Sequence, residues 1–430
     1  MNSTRKPVFW IFFICWLGLV ADGYDLYVYG ATLPGIIGPS PFGVTTGAAG
    51  AVGSFALVGM LLGSLVVGTL TDRLGRRRIF ISALALFSVA MLACSLAPSW
   101  EVFAAFRFVA CFGIGGLLPT AVALTNEFAA PGRKSLTLGF VLTAPAIGTV
   151  LASLTSLALL ESSGFRPVYA VGAAGLLLIP FAYLRLPESP SFLRARGREA
   201  EAARIEAHYS LTPASEAPVG SAEPTSPVRA LVSRQLRRPT LTFWAVTFLS
   251  LLTIFGVSTW LPQIMRSAGY GIGSSVSFLL AYSVGAVIGT VVGSGASQKF
   301  GPKPLAIAGF VSAAVALLLL SLNPPSAVVM ILTAVAGFGG LGTQNMINDY
   351  IAQYYPAAVR ATGLGWALAI GRVGAIVGPT YGALLVSGGG GVPVAAAAFA
   401  VPAVIGAAFM FTLPSKTRTQ SPTPAAQPVA

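Results

Sequence analysis

Polar side chains are the exception along this chain, and they fall between long apolar runs. The runs lie at about 8–29, 47–70, 79–98, 102–128, 137–160 and 168–186, then 241–265, 273–297, 304–322, 327–350, 361–385 and 391–413. Each is long enough to cross roughly 30 Å of hydrocarbon at about 1.5 Å per residue. They are continuous rather than alternating, so they predict helices and not the strands of a transmembrane barrel. About twelve spans result, and the expected class is an all-α membrane protein.

Composition agrees. Of 430 residues only 9% are charged and 55% are hydrophobic, whereas a soluble domain has roughly a quarter of its residues charged. The first run follows Arg5 and Lys6, but it is too long for a signal-peptide core, contains two acids and lacks a small-residue cleavage site, so it is expected to stay. The net charge of +13 does not point to nucleic acid, because the basic residues sit in alternate short connections. Arg73, Arg76, Arg77 and Arg78 come first, then Arg133 and Lys134, then Lys299 and Lys303, then Arg360. That pattern predicts a multi-pass protein of the cell (plasma or inner) membrane with both termini and the middle loop cytoplasmic. The outward connections, such as Pro39 to Gly47 and Ser387 to Gly391, have no charge. Cys15, Cys94 and Cys111 lie far apart within apolar runs and read as packing residues. The single histidine, His208, reads as a loop residue, and neither a metal nor a cofactor is expected.

Between the sixth and seventh runs the composition changes sharply. Residues 194–209 suit a short surface helix, while 211–228 are rich in Pro, Ser and Glu and read as disordered, as does the tail from 414. The loop divides the chain into 1–186, 187–240, 241–413 and 414–430, and the two long parts look like copies. Phe112 of FGIGG lines up with Phe338 of FGGLG, and the same offset places Gly139 on Gly365, Lys134 on Arg360 and Gly75 on Gly301. A constant offset at several positions indicates duplication, and two parallel repeats joined by a loop are the plan of a transporter with its site between the halves. Glycines four apart, Gly59 and Gly63 in the second run and Gly285, Gly289 and Gly293 in the eighth, let helix backbones approach closely.

The charges within the runs carry the chemistry. Seven acids lie outside the middle loop, and of these Asp22, Asp25, Glu127 and Asp349 fall inside runs. Counted along the helices, Asp22 lies about 21 Å from the cytoplasmic edge and Arg107 about 8 Å from the outer edge, which makes them level in a core of about 30 Å. Arg372 comes out at roughly 16 Å, close to the midplane, where a lone arginine is costly. Asp22 and Asp25 are three apart and share a helix face. An aspartate at a span centre costs about 2.5 to 3.5 kcal/mol, so the pair predicts a polar cavity and a proton-carrying role, with pairing to Arg107 as the plainer alternative. A guanidinium at the midplane offers a planar fork for a carboxylate, so Arg372 predicts an anionic substrate. Tyr24, Phe255, Trp260, Tyr282 and Trp366 could stack on a ring or simply pack.

GTLTDRLGRRR, Gly68 to Arg78, resembles the signature loop of the major facilitator superfamily. The resemblance implies two pseudo-symmetric six-helix bundles, alternating access, and a gating role for Gly68, Asp72, Arg73, Gly75 and Arg76. Asp72 is expected to latch the inside closed against the other half. DGYDLYVYG, RFVACFGIGGLLPTAVALTNEF, TWLPQ and the stretch Tyr354 to Pro379 further resemble the aromatic acid/proton symporter family within it. LPESPSFL is shared with sugar porters. The narrower resemblance implies a proton-coupled importer of a small organic anion, an aromatic carboxylate such as a benzoate, working as a monomer in the bilayer. It implies Asp22, Asp25, Arg107 and Glu127 in proton coupling, and Arg372, Asp25, Tyr24, Trp260, Tyr282 and Gln344 at the substrate. One stretch departs from the family pattern: QNMINDY, Gln344 to Tyr350, is more polar. A sugar or other organic-anion porter, a membrane-embedded enzyme and a passive channel are the alternatives. The enzyme would need clustered ligands at one membrane face, and the duplicated halves disfavour the channel.

Overall fold

The computed structural model describes residues 5–37, 42–130, 132–211 and 227–413, leaving aside the side chains of 5–7, 72, 135, 227, 357 and 358. Among the described residues twelve helical spans are long and apolar enough to cross a membrane. The first six are Val8–Ile36, Thr46–Thr71, Arg76–Leu96, Trp100–Phe128, Leu136–Ser163 and Phe165–Arg185. The second six are Arg237–Ser267, Ile272–Phe300, Pro302–Leu320, Ser326–Tyr354, Val359–Ser387 and Gly391–Thr412. Because successive spans run in opposite directions, the connections bearing Arg73 to Arg78, Arg133, Lys134, Lys299, Lys303 and Arg360 all lie at one end, called here the basic end. The other is the far end. The surface helix expected at 194–209 forms over Glu199–Tyr209, preceded by Pro190–Ala195, and Arg194 pairs with Glu206 at 2.5 Å. The tail and most of the segment expected to be disordered lie outside the described residues.

The internal duplication is visible in the packing. A Cβ on Gly59 or Gly63 of the second span would strike the carbonyls of Phe108 and Phe112 on the fourth. A Cβ on Gly285 or Gly289 of the eighth would strike those of Ala334 and Phe338 on the tenth. Every member of the second set stands at the repeat offset, that of Phe338 from Phe112, from its counterpart in the first. Gly75 and Gly301, related in the same way, have φ of 97° and 83° and make the same left-handed turn into the next span. Between helices in lipid there is no difference in hydrophobicity to drive association, so close backbone approach of this kind holds each bundle together.

The halves meet at the far end and part at the basic end. A Cβ on Gly30 would run into the backbone of Ser258 and Thr259, and one on Gly53 into Pro379. The Ser54 and Thr380 hydroxyls bridge the second and eleventh spans at 2.7 Å, and midway along, Ser153 and Ser283 approach to 3.4 Å. Toward the basic end the flanking spans separate. There Gly68, Gly139, Gly295 and Gly365 have no neighbouring atom, among the described residues, within 4 Å of an added Cβ.

Candidate functional site

The first span brings the aspartates to the centre because Gly23, between them, lets it cross the fifth span closely. A Cβ on Gly23 would overlap the Pro145 carbonyl, and one on Gly148 the carbonyl of Val20. The two carboxylates then meet different surroundings. Asp25, 1% exposed, forms an ion pair with Arg107 of the fourth span, which is 3% exposed. The Cys111 thiol donates to the other Asp25 oxygen at 3.0 Å, and the guanidinium lies over the rings of Tyr29 and Tyr169, 5.7 and 5.8 Å from their centroids. This pair is enclosed and saturated at its carboxylate.

Asp22 is also buried, yet its Oδ1 has no hydrogen-bond partner among the described residues. The opposite charge acting on it comes from Arg372 of the eleventh span, and Asp22 is in turn the charged group acting on that arginine. Among the described residues no carboxylate comes within ion-pair distance of Arg372, and its side chain remains partly exposed. Asp22 and Arg372 therefore lie within electrostatic reach of one another, from opposite halves, without forming an ion pair. The depth count matches Asp22 to Arg107, and the structure corrects this: Arg107 belongs to Asp25, one helical turn further along. A ruler of about 1.5 Å per residue cannot separate two groups three residues apart on tilted helices.

Other expected site residues divide. Tyr282 reaches the central interface, its ring 6.3 Å from that of Tyr27 across the halves. Gln344 is buried on the tenth span, donating from Nε2 to Asn348 Oδ1 at 2.9 Å, while its Oε1 has no partner among the described residues. Tyr24, by contrast, turns into its own half, its hydroxyl donating to the Val168 carbonyl at 2.7 Å beside Thr155. Trp260 is wholly buried in the far-end closure, donating its indole N–H to the Pro379 carbonyl at 2.7 Å. Both spend their polar groups on these partners rather than on the charged centre. Trp366, 41% exposed, stacks on Trp244 instead.

Glu127 is likewise away from the aspartates, near the basic end of the fourth span. It pairs with Arg76 at 3.0 Å and accepts from Ser189, while Ser189 also accepts from Arg76 Nη1 at 3.0 Å. Glu188 accepts the backbone N–H groups of Arg77 at 3.1 Å and Ser189 at 2.9 Å, and its carboxylate occupies the space a Cβ on Gly75 would need. The Arg73 carbonyl accepts from Arg196. The signature loop is thus tied to LPESPSFL of its own half, and Gly68 faces open space. The latch expected at Asp72 falls on a side chain outside those described.

Two members of the site escape the sequence reading. Cys111 reads as packing and is the second partner of Asp25. Tyr24 is the tyrosine expected from the first span, yet it is Tyr27 that meets the second half, with its buried hydroxyl unpartnered among the described residues. A signal exists for it: Gly23 and Gly30, on which other helices close, mark the crowded side of the first span, and Tyr27 lies between them.

The family model of the Major Facilitator Superfamily matches residues 15–294 and 272–429. The chain belongs to that superfamily. Similar proteins include the gentisate transporter of Corynebacterium glutamicum, 33% identical over 87% of this chain and 80% of the relative. The benzoate transport protein of Acinetobacter baylyi is 31% identical over 90% of this chain and 85% of the relative. Among solved structures, the xylose transporter of E. coli in a partially occluded inward open conformation superposes with a TM-score of 0.75 at 19% identity, covering 97% of this chain and all of that one. The fold is that of the facilitators, and the similar proteins are transporters.

Proposed function

We propose that this chain imports an aromatic carboxylate together with a proton, working as a monomer in the cell membrane by alternating access. The observation that carries the reading is Asp22, buried with one oxygen unpartnered among the described residues and facing Arg372 across the two halves. Arg372 can neutralise Asp22 or grip a substrate carboxylate bidentately. When an anion takes the arginine, Asp22 is left as a buried charge without a counterion, which is costly, and a proton removes that cost. One anion and one proton are then bound together, and their release returns Arg372 to Asp22. Asp25 and Arg107 act as a fixed support, since each Asp25 oxygen already has its partner, Arg107 or Cys111, within one half.

Aromatic acids are supported by the relatives named for gentisate and benzoate, together with the Tyr27 and Tyr282 rings at the interface. The basic connections support a cytoplasmic assignment for the basic end, so the separation of the halves there corresponds to an inward-facing state. The test is uptake by proteoliposomes of the purified protein. An inward proton gradient should drive accumulation of a labelled aromatic carboxylate, and an uncoupler should abolish it. Uptake that ignores the gradient would sink the coupling assignment, and failure to take up any aromatic carboxylate would sink the substrate.

A further inference from the structure

Resting on that reading, we infer that the substrate carries a hydroxyl on its ring and that Gln344 selects for it. Gln344 stands one helical turn beyond Gly340, where an added Cβ would lie 2.9 Å from the Tyr282 hydroxyl and 3.6 Å from Ile254. Tyr282 in turn meets Tyr27 from the other half. Gln344 therefore continues the face of the tenth span that borders the interface, one turn nearer the end at which the halves part. Its amide spends Nε2 on Asn348 Oδ1, one turn along the same helix. What remains is Oε1, an acceptor without a partner among the described residues on a side chain 6% exposed.

A buried acceptor left unpaired is destabilising, and one retained beside a binding site is explained by a donor that arrives with the ligand. A carboxylate cannot be that donor, since when ionised it only accepts. On an aromatic acid a ring hydroxyl supplies such a donor. The heights agree: Gln344 is ten residues from the basic end of its span at Tyr354 and Arg372 thirteen from that of its own at Val359. The two thus lie at one level in the membrane to within about a helical turn, as two contacts on one substituted ring require. Tyr27, with its own unpartnered hydroxyl, stands on the far-end side of the same centre. Gln344 and Asn348 both belong to QNMINDY, the stretch that departs from the family pattern. A site built to pair with a substrate hydroxyl rejects the analogue lacking it more strongly than an apolar pocket could.

The experiment measures affinities of the purified full-length protein for benzoate, for 2-, 3- and 4-hydroxybenzoate and for the matching methoxybenzoates, which keep the oxygen and remove the donor. At least one hydroxybenzoate should bind about tenfold or more tightly than both benzoate and its methoxy counterpart. In Gln344→Met that ratio should fall toward one. A wild type that binds benzoate as tightly as every hydroxybenzoate overturns the inference and leaves the aromatic-carboxylate reading standing. An undiminished ratio in Gln344→Met overturns the role of Gln344. Absence of binding by every aromatic carboxylate overturns both readings.

Discussion

Arg107 and Asp25 form a closed ion pair inside the first bundle, while Asp22, three residues away on the same helix, is left facing a second arginine in the other bundle. Two aspartates that look alike in the sequence thus have different physical situations. One is satisfied within a rigid half, and the other can be satisfied only across a boundary that moves.

The closed pair should behave as a structural element. Arg107→Ala strands a buried carboxylate, and loss of one partner of a buried pair costs about 3 to 5 kcal/mol. The variant should show a much lower melting temperature and poor yield in detergent. Removing both charges in Asp25→Leu/Arg107→Met should recover most of that stability, and a double variant as unstable as Arg107→Ala would contradict the argument.

Asp22→Asn should abolish accumulation against a gradient and retain exchange of labelled for unlabelled substrate, because the site can still load and reorient without a proton. In the wild type, lowering the outside pH at fixed membrane potential should raise the uptake rate, and in Asp22→Asn this dependence should be lost. Proton-driven accumulation by the variant at the normal rate would remove Asp22 from the coupling role.

For Arg372 the geometry makes a graded expectation. Arg372→Lys keeps the charge and loses the bidentate fork, so affinity should fall about tenfold or more, and Arg372→Ala should lose it entirely. The benzamide counterpart of a substrate should bind neither. If the arginine served only to neutralise Asp22, the double variant Asp22→Asn/Arg372→Gln would bind with near-normal affinity, and titration of ligand binding in that protein decides between the two.

Gly63 and Gly68 lie on one helix and should respond differently to the same change. Gly63→Ala pushes a methyl into the Phe112 carbonyl, whereas Gly68→Ala points into open space where the halves part at the basic end. Thermal stability should drop by several degrees in the first and stay level in the second. Slowed transport by Gly68→Ala at unchanged stability would show that its space fills when the basic end closes.

At the signature loop, Glu127→Gln weakens the tie between Arg76 and Ser189. It should slow turnover while leaving substrate affinity close to wild type, since its partners all belong to the basic end of one half. A parallel loss of affinity would return Glu127 to the central site.

Much of this is legible in the sequence because the bilayer imposes it. A backbone in hydrocarbon must satisfy its own hydrogen bonds, so apolar runs of sufficient length become helices, and their number, the basic connections and the duplication follow by reading. The repeat offset extends even to individual contacts, since the glycines that fix a helix crossing are held in register with the carbonyls they meet. Span ends are less legible: the first apolar run ends near 29 and its helix continues to Ile36, because polar and glycine-bearing turns remain helical once packed.

What only the tertiary structure decided was which buried charges meet. Position along a helix gives depth to within about a turn and gives direction only relative to the same helix. That suffices to mark Asp22, Asp25, Arg107 and Arg372 as unusual. It cannot assign Arg107 to Asp25 or turn Asp22 toward Arg372, nor send Tyr24 into its own half and Tyr27 to the interface. Pairing depends on how neighbouring spans are rotated and tilted, and those angles come from interhelical contacts distributed over both halves, which the order of residues along any one helix does not contain.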